Sequence, residues 1–514
     1  MSHRPLRLGT RRSVLARAQS AAVARALEQQ HPGLKVELVG IDTRGDQVTD
    51  VPLSQIDGKE FFTAEIDAAL MRGEVDLTVH SFKDLSLERP AALCLGAVPR
   101  RENPRDIVFF APDILEQLAR GARVRVGSSS PRRAAFTPQF LQRALPGNPE
   151  VQLCELRGNV DSRLRRLRLP RDSERQLDAV VLAFAGVARL WEDELVGAHA
   201  LVAELLADLP RMLMPLTHSP GAPAQGALAI ECRSEDAATR ALLAAIDDAA
   251  TRGSIAAERA LLGARGGGCH QQFGATHRFV PDLGALLYTR EADASGARDP
   301  EQAWEPLQPL PALAAPVRSW DGSALPTPPS LPIPGAAAQA AAALAHAAAG
   351  FITHRRALPD LPAAQINACA HLWVPGVETW FALAARGVWV EGCAEGLGFQ
   401  ALASTLGAPL LGLPAPEQWL VLTYEEALPH WRGHQAFATY RHQSGADDSQ
   451  APSAAVSHVY WHSAAQFERW GDRLGAHVHH ACGPGRTSER LRDAGVAKLT
   501  VFPSARHWRE WLGA

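Results

Sequence analysis

The sequence predicts an α/β protein of several domains. Two observations carry that prediction. Short apolar strands alternate with helix-patterned segments through the first 230 residues, and 514 residues leave room for several cores at roughly 100–200 residues each. At least three domains are expected. A third observation says where a ligand would sit: the strands run at their C-terminal ends into polar loops and helix starts, the place where sheets of this kind bind ligands.

Taken in order, LRLGT is the opening strand, followed by a helix from about Ser13 to Gln30, the strand KVELVGI, a helix over TAEIDAALMRG and the alternating strand VDLTVH. RVRVGS, VQLCEL and DAVVLAF are further strands, with a helix over VDSRLRRLR between the last two. After Glu231 a smaller α/β segment carries a helix over TRGSIAAERALLGA, which ends at Arg265-Gly266-Gly267-Gly268-Cys269-His270. The stretch from about Pro300 to Gly335 is rich in Pro and Ala and is expected to be a loop or linker, and AAAQAAAALAHAAAG is expected to be a helix. From Phe351 a new series of short strands and helices begins, interrupted by the polar SGADDSQAPS at 444–453, whose composition predicts disorder. No internal repeat is evident.

A hydrophobic fraction of 46% and a charged fraction of 21% are ordinary for globular protein, and no apolar run reaches the roughly 18 residues that would span a bilayer. The first residues, MSHRPLRLGTRRSV, lack the apolar core of a secretory signal, so a cytoplasmic location without membrane contact is the expectation. Seven cysteines (94, 154, 232, 269, 369, 393 and 482) are scattered singly, which points to neither a disulfide framework nor a metal site. Each alone reads as a small buried hydrophobe.

Charge is more telling by region than in total. The net charge is −3, yet Arg120 to Pro170 holds eleven Arg against Glu150, Glu155 and Asp161, so an anionic ligand is expected there. Three strand-to-helix junctions share one chemistry: Thr10-Arg11-Arg12-Ser13, Gly127-Ser128-Ser129-Ser130-Pro131-Arg132-Arg133, and Arg157-Gly158-Asn159-Val160-Asp161-Ser162-Arg163. Each sets a small or hydroxyl residue at a helix start, where backbone N–H groups point outward, beside Arg suited to bidentate carboxylate or phosphate binding. For any one of them the alternative is a helix cap followed by solvated arginines. Together they suit a ligand with several anionic groups. A nucleic-acid partner is not expected, because the arginines are spread over successive loops and the whole chain is slightly acidic.

Over roughly residues 4–275 the sequence resembles the hydroxymethylbilane synthase (porphobilinogen deaminase) family. The resemblance rests on LGTRRSVLARAQ, DTRGD, DGKEFFTAEIDAAL, DLTVHSFKDL, ENPRDIV, VGSSSPRR, LRGNVDSRL, APAQGALAIECR and AAERALLGARGGGCH, in that order. It implies two periplasmic-binding-protein-like α/β domains, the first from 1–103 and 208–228 and the second from 104–207. A small α+β third domain over 229–350 would carry the cofactor cysteine, with the linker at about 300–335. The implied chemistry joins four porphobilinogen molecules onto a dipyrromethane primer. Each loses ammonia to become an electrophilic azafulvene, the free α-carbon of the growing oligopyrrole chain attacks it, and water releases the linear product. The partners implied are porphobilinogen and that growing chain, and a monomer is expected.

That chemistry needs a carboxylate to handle amine and pyrrole protons and to face a cation. Asp84 fits, since it lies just beyond the strand VDLTVH; the alternative for a lone loop Asp is a turn or cap residue. Lys83 beside it joins the catalytic pair, and Asp46 is a supporting candidate. Each pyrrole carries an acetate and a propionate, so the resemblance assigns Lys83, Asp84, Ser129, Arg132, Arg133, Arg157 and Arg163 to the cofactor. It assigns Arg11, Ser13 and Arg189 to incoming or elongating units, Lys59 to a mobile lid, and Phe62 to stacking on a pyrrole, with a core Phe as the alternative. Cys269 is the expected thioether anchor of the dipyrromethane, since a thiol bonds an electrophilic carbon and three preceding glycines let the backbone approach closely. Three positions depart from the family pattern: Ser86 replaces a proline, Pro131 a leucine, and His270-Gln271-Gln272 a proline-containing run.

Residues 351–514 resemble uroporphyrinogen-III synthase through shorter segments, among them FITHRRAL, HLWVPGVETWFALAARGVWVEG, VYWHSAAQFERW and HHACGPGRTSERLRDAGVAKLTVFPSARHWREWL. The resemblance implies a C-terminal α/β region with Thr379, Thr487, Tyr440 and Ser463 as site candidates. Two expectations stand: a second, cyclising activity, or an inactive domain that binds a partner.

Overall fold

The computed structural model describes residues 4–43, 63–268, 271–293, 295–313, 316–323, 329–443 and 451–513. Ten strands form the first part of the chain: β1 (Leu6–Arg11), β2 (Val36–Ile41), β3 (Leu77–Ser81), β4 (Leu93–Ala97), β5 (Asp106–Phe110), β6 (Val124–Gly127), β7 (Val151–Cys154), β8 (Ala179–Ala183), β9 (Arg211–Leu213) and β10 (Leu228–Arg233). They build two five-stranded sheets, ordered β2-β1-β3-β10-β4 and β7-β6-β8-β5-β9. In the first, β10 runs antiparallel to both neighbours; in the second, β5 does. The chain thus crosses between sheets twice, after β4 and after β9. In each sheet the first strand laid down after a crossing is the antiparallel one.

The local reasons are visible in the residues. In β1, Leu6 and Leu8 alternate into a core with Leu27 of the helix Val14–Gln30, Leu77 and Ile230. That helix starts at Ser13, whose Oγ accepts from the Ala16 amide at 3.3 Å, a side-chain N-cap. The helix Pro131–Ala144 opens on Pro131, the departure noted above; at a first helical position the missing N–H costs nothing and the fixed φ helps. The expected helix over VDSRLRRLR is the short helix Val160–Leu164 followed by a 3-10 turn, Arg165–Arg168.

Two differences from expectation concern boundaries. The proposed division at 228/229 falls within β10, one of the strands of the first sheet, because Leu228 to Cys232 pair residue by residue with β3. The Pro/Ala-rich stretch at 300–335 also holds strands: β14 (Glu301–Pro306), β15 (Ser319–Trp320) and β16 (Ser330–Pro332). β15 and β16 lie at the edges of their sheets, where proline's missing donor is tolerated. Ahead of them, β11 (Phe273–Val280), β12 (Gly284–Asp293) and β13 (Gly296–Ala297) make a small sheet with β14.

The chain divides into two compact units. One comprises Met1–Gln142, Asn148–His277 and Tyr288–Gln302, the other Arg143–Gly147, Arg278–Leu287 and Ala303–Ala514. The second contains two further sheets. The six-stranded one is ordered β16-β21-β20-β17-β18-β19, with β17 (Ala349–Ile352), β18 (His371–Val374), β19 (Gly392–Cys393), β20 (Leu420–Tyr424) and β21 (Gln435–His442), all parallel but β16. The other is fully parallel, β15-β22-β23-β24, with β22 (His458–Trp461), β23 (His479–Cys482) and β24 (Leu499–Val501). The expected helix over the alanine-rich segment is Ala336–His346. Most of the polar 444–453 lies outside the described residues. Among the described residues no helix is long and apolar enough to cross a membrane.

Candidate active site

The first unit holds a cavity of about 270 Å³ where several strands end in loops and helix starts. β1 delivers Arg11 and Ser13, β3 leads into a 3-10 turn with Lys83 and Asp84, and the loop after β7 brings Gly158, Asn159 and Asp161. The helix Phe184–Trp191, entered directly from β8, supplies Arg189. Arg133 and Arg163 complete the charged lining. Five basic side chains, Arg11, Lys83, Arg133, Arg163 and Arg189, thus line the cavity with two carboxylates, Asp84 and Asp161. The N-termini of helices Val14–Gln30 and Phe184–Trp191 also open here, and their unpaired N–H groups add positive character.

Arg163 and Arg189 donate to backbone carbonyls, and carboxylates nearby offset their charge only in part. Arg189 donates to the Gly226 carbonyl at 2.6 Å and Arg163 to the Gly158 carbonyl at 2.7 Å. Burial pulls Arg163 down to about 10, and Arg133 and Arg157 add repulsion that Asp84 only partly offsets. Arg189 falls to about 10 through burial as well, opposed by Glu102 and Glu192. Lys83 is lowered by burial against the pull of Asp84, and its Nζ lies 3.4 Å from Gln225 Oε1. A bound anion would relieve all three.

Arg132, which the resemblance assigns to the cofactor, is 3% exposed, with Nη2 on Asp106 Oδ2 at 2.6 Å and Nη1 on the Pro220 carbonyl at 2.8 Å. Arg133 shares that anchor, 2.8 Å from Asp106 Oδ1, yet lines the cavity. Burial pushes the Asp106 carboxyl up, but the two guanidinia outweigh it and hold the group well below the usual range. Gln225 Nε2 also donates to Asp106 at 2.9 Å, so one buried carboxylate ties together Arg132, Arg133 and the partner of Lys83. Ser129 and Arg157 are half-buried on the adjoining loops and are not among the lining residues. Cys269, His270, Asp46, Lys59 and Phe62 lie outside the described residues.

Four contributors went unremarked although they sit in the motifs quoted above: His80, Asp106, Gln225 and Arg259. His80 lines the cavity with Nε2 3.1 Å from Thr78 Oγ1 and 3.4 Å from Glu231 Oε2. Burial, with Arg89 and Arg11, lowers it to about 3, so it is a neutral imidazole. Asp67, His80 and Glu231 have the proximity of metal ligands, but the Arg89 guanidinium already binds Asp67 at 2.7 Å and Glu231 at 2.6 and 2.9 Å. The group is a buried ion network.

A cavity lined by several basic side chains has the chemistry to bind anionic groups. Residues 6–241 match the family model described as "Porphobilinogen deaminase, dipyromethane cofactor binding domain". A porphobilinogen deaminase of Trichlorobacter lovleyi is 42% identical over 269 residues, covering 52% of this chain and 77% of the relative. One of Roseiflexus castenholzii is 44% identical over 271 residues, covering 52% and 80%. Among solved structures, a periplasmic substrate-binding protein of an ABC transporter from Coxiella burnetii aligns over 48% of this chain and 94% of its own, with 16% identity and a TM-score of 0.24. The chain belongs to the porphobilinogen deaminase family, and its N-terminal half contains the family's dipyrromethane cofactor binding domain.

Proposed function

We propose that this chain is a hydroxymethylbilane synthase, joining four porphobilinogen molecules with loss of ammonia onto a dipyrromethane linked to Cys269 and releasing the linear tetrapyrrole by hydrolysis. The observation that carries the proposal is the one-sided charge of the cavity, five cations against Asp84 and Asp161. Pyrroles bearing an acetate and a propionate each are the kind of ligand such a lining matches. The dipyrromethane fits on the same ground: Lys83, Arg133 and Arg163, with Ser129 and Arg157 on the adjoining loops, would hold its carboxylates. When bound it supplies the free pyrrole carbon to which the first substrate is joined.

Arg11, Ser13 and Arg189 would bind the carboxylates of incoming and elongating units. Asp84, exposed at the cavity, would hold the proton of the departing amine and then face the positive charge left on the ring. Lys83, its chain neighbour, would keep a bound carboxylate one residue away from that proton. Arg132, on the same Asp106 carboxylate as Arg133, keeps the cofactor-carboxylate role that the resemblance gives it. Lys59 as lid and Phe62 as stacking partner retain the roles the resemblance gives them.

A second activity, uroporphyrinogen-III synthase, is proposed for the C-terminal region; the alternative is an inactive partner-binding domain. Two parallel-stranded sheets meet there through their loops at Gly398 and Gly485, where an added Cβ on either would come within 3.0 Å of the other's Cα. Thr379 and Thr487 lie in the first turns of helices Val377–Ala384 and Arg486–Asp493. Tyr440 is buried 5.8 Å from the Tyr424 ring, and Ser463 caps the helix Ala464–Trp470. Incubating the full chain with porphobilinogen tests both proposals. Consumption with ammonia release and a linear tetrapyrrole supports the first, and no turnover refutes it. Type III uroporphyrinogen supports the second, whereas type I alone leaves the inactive domain.

A further inference from the structure

Asp84 sits on a three-residue 3-10 turn, Phe82–Asp84, closed by one internal bond from the Leu85 amide to the Phe82 carbonyl at 3.3 Å. So short a turn has no cooperative helix to hold it. The position of its exposed carboxylate is therefore set by whatever grips the backbone. On one side the Phe82 amide donates to the Ala227 carbonyl at 3.1 Å. On the other stands Arg259, whose guanidinium donates to the carbonyls of Phe82 (3.3 Å), Leu85 (2.9 Å) and Ser86 (2.8 Å) and lies 4.7 Å from the Phe82 ring centroid.

Arg259 is itself firmly based. It belongs to the helix Ala249–Gly263, which the preceding residue, the fully buried Glu258, ties down through Arg101 at 2.5 and 2.9 Å and through the amides of Ala224 and His277. The helix is followed after Ala264 and Arg265 by Gly266-Gly267-Gly268, and Cys269 is the next residue in the chain. One rigid element therefore touches the Asp84 turn and leads to the proposed primer anchor. We propose that Arg259 is a positioning residue: its planar fork fixes the Phe82–Ser86 turn so that Asp84 is held at a set place relative to the helix Ala249–Gly263. This rests on the roles given above to Asp84 and Cys269. A lysine at 259 would keep the charge but not the forked donation to three carbonyls or the ring stack.

The test uses the full chain, its primer content established by intact mass, with Arg259→Lys, Arg259→Met, Asp84→Glu and the double variant Arg259→Lys/Asp84→Glu. Arg259→Lys is expected to lower kcat for porphobilinogen consumption about 100-fold, the scale of a catalytic group misplaced by an ångström, with KM within about twofold. The double variant is expected within about threefold of Asp84→Glu alone, because both changes spoil the same placement. A parent-like kcat in Arg259→Lys, a loss confined to KM, or a double variant that falls by the product of the single losses overturns the inference. Should Arg259→Met fail to fold, Arg259→Lys still decides. A parent protein without turnover overturns the proposed function itself, and the inference with it.

Discussion

Arg132 and Arg133 are neighbours in the sequence and both bind Asp106, yet only Arg133 reaches the cavity. Successive helical residues point in different directions, so of two adjacent cations on one carboxylate only Arg133 also lines the cavity. The sequence names the candidate cations but not their partners: Asp106 lies 26 and 27 residues upstream, within a motif in which nothing marks it as their anchor. Replacing it with Asn leaves two buried guanidinia without a counter-charge, so Asp106→Asn is expected to destabilise the first unit by about 3 kcal/mol, read as a lower urea midpoint at unchanged m. Arg163 makes the opposite case. Half-buried at the cavity and bonded to the Gly158 carbonyl, it has little structure to lose, and Arg163→Met is expected to raise KM for porphobilinogen at near-constant stability. Asp84→Asn should instead lower kcat by about 100-fold or more, since it removes the group proposed to handle protons.

Strands with a clear period and helices with a clear cap were legible in the sequence. β1, β3 and the helix after Ser13 fall where Leu6, Leu8, Leu77 and the capping hydroxyl place them. β5 was not singled out, because DIVFF is buried throughout and a continuous apolar run has no alternation to read. β15 and β16 in the proline-rich stretch were hidden for another reason: they are short edge strands whose partners lie more than 100 residues away, such as Tyr440 for Pro332. Of the glycines before Cys269, Gly267 has little room for a side chain. It has φ +70°, and an added Cβ would stand 3.0 Å from Leu87 Cδ1. Gly267→Ala is therefore expected to strain the segment next to the proposed anchor and to lower the fraction of chains carrying the primer, measured by intact mass.

Among the described residues, buried His80 and His480 and half-buried His479 give a shared response to acid. Burial lowers His80 to about 3, with Arg89 and Arg11 contributing, and lowers His479 and His480 to about 4, from an ordinary 6.5. These groups are neutral when folded and take up protons near 6.5 when unfolded. Their contribution to stability is thus complete above about 6.5 and is lost as pH falls toward 4. Since His479 and His480 lie on β23, urea unfolding of the second unit should shift to lower midpoints between about pH 7 and 5, and a double His479→Gln/His480→Gln variant should show a smaller shift. The proposed function turns on a covalent bond between the dipyrromethane and Cys269, one thiol among seven. The most direct test is the intact mass of the purified chain beside that of Cys269→Ser. The account predicts a parent heavier than its sequence by one dipyrromethane and a variant at the mass of the bare chain, and a parent at the bare mass would contradict it.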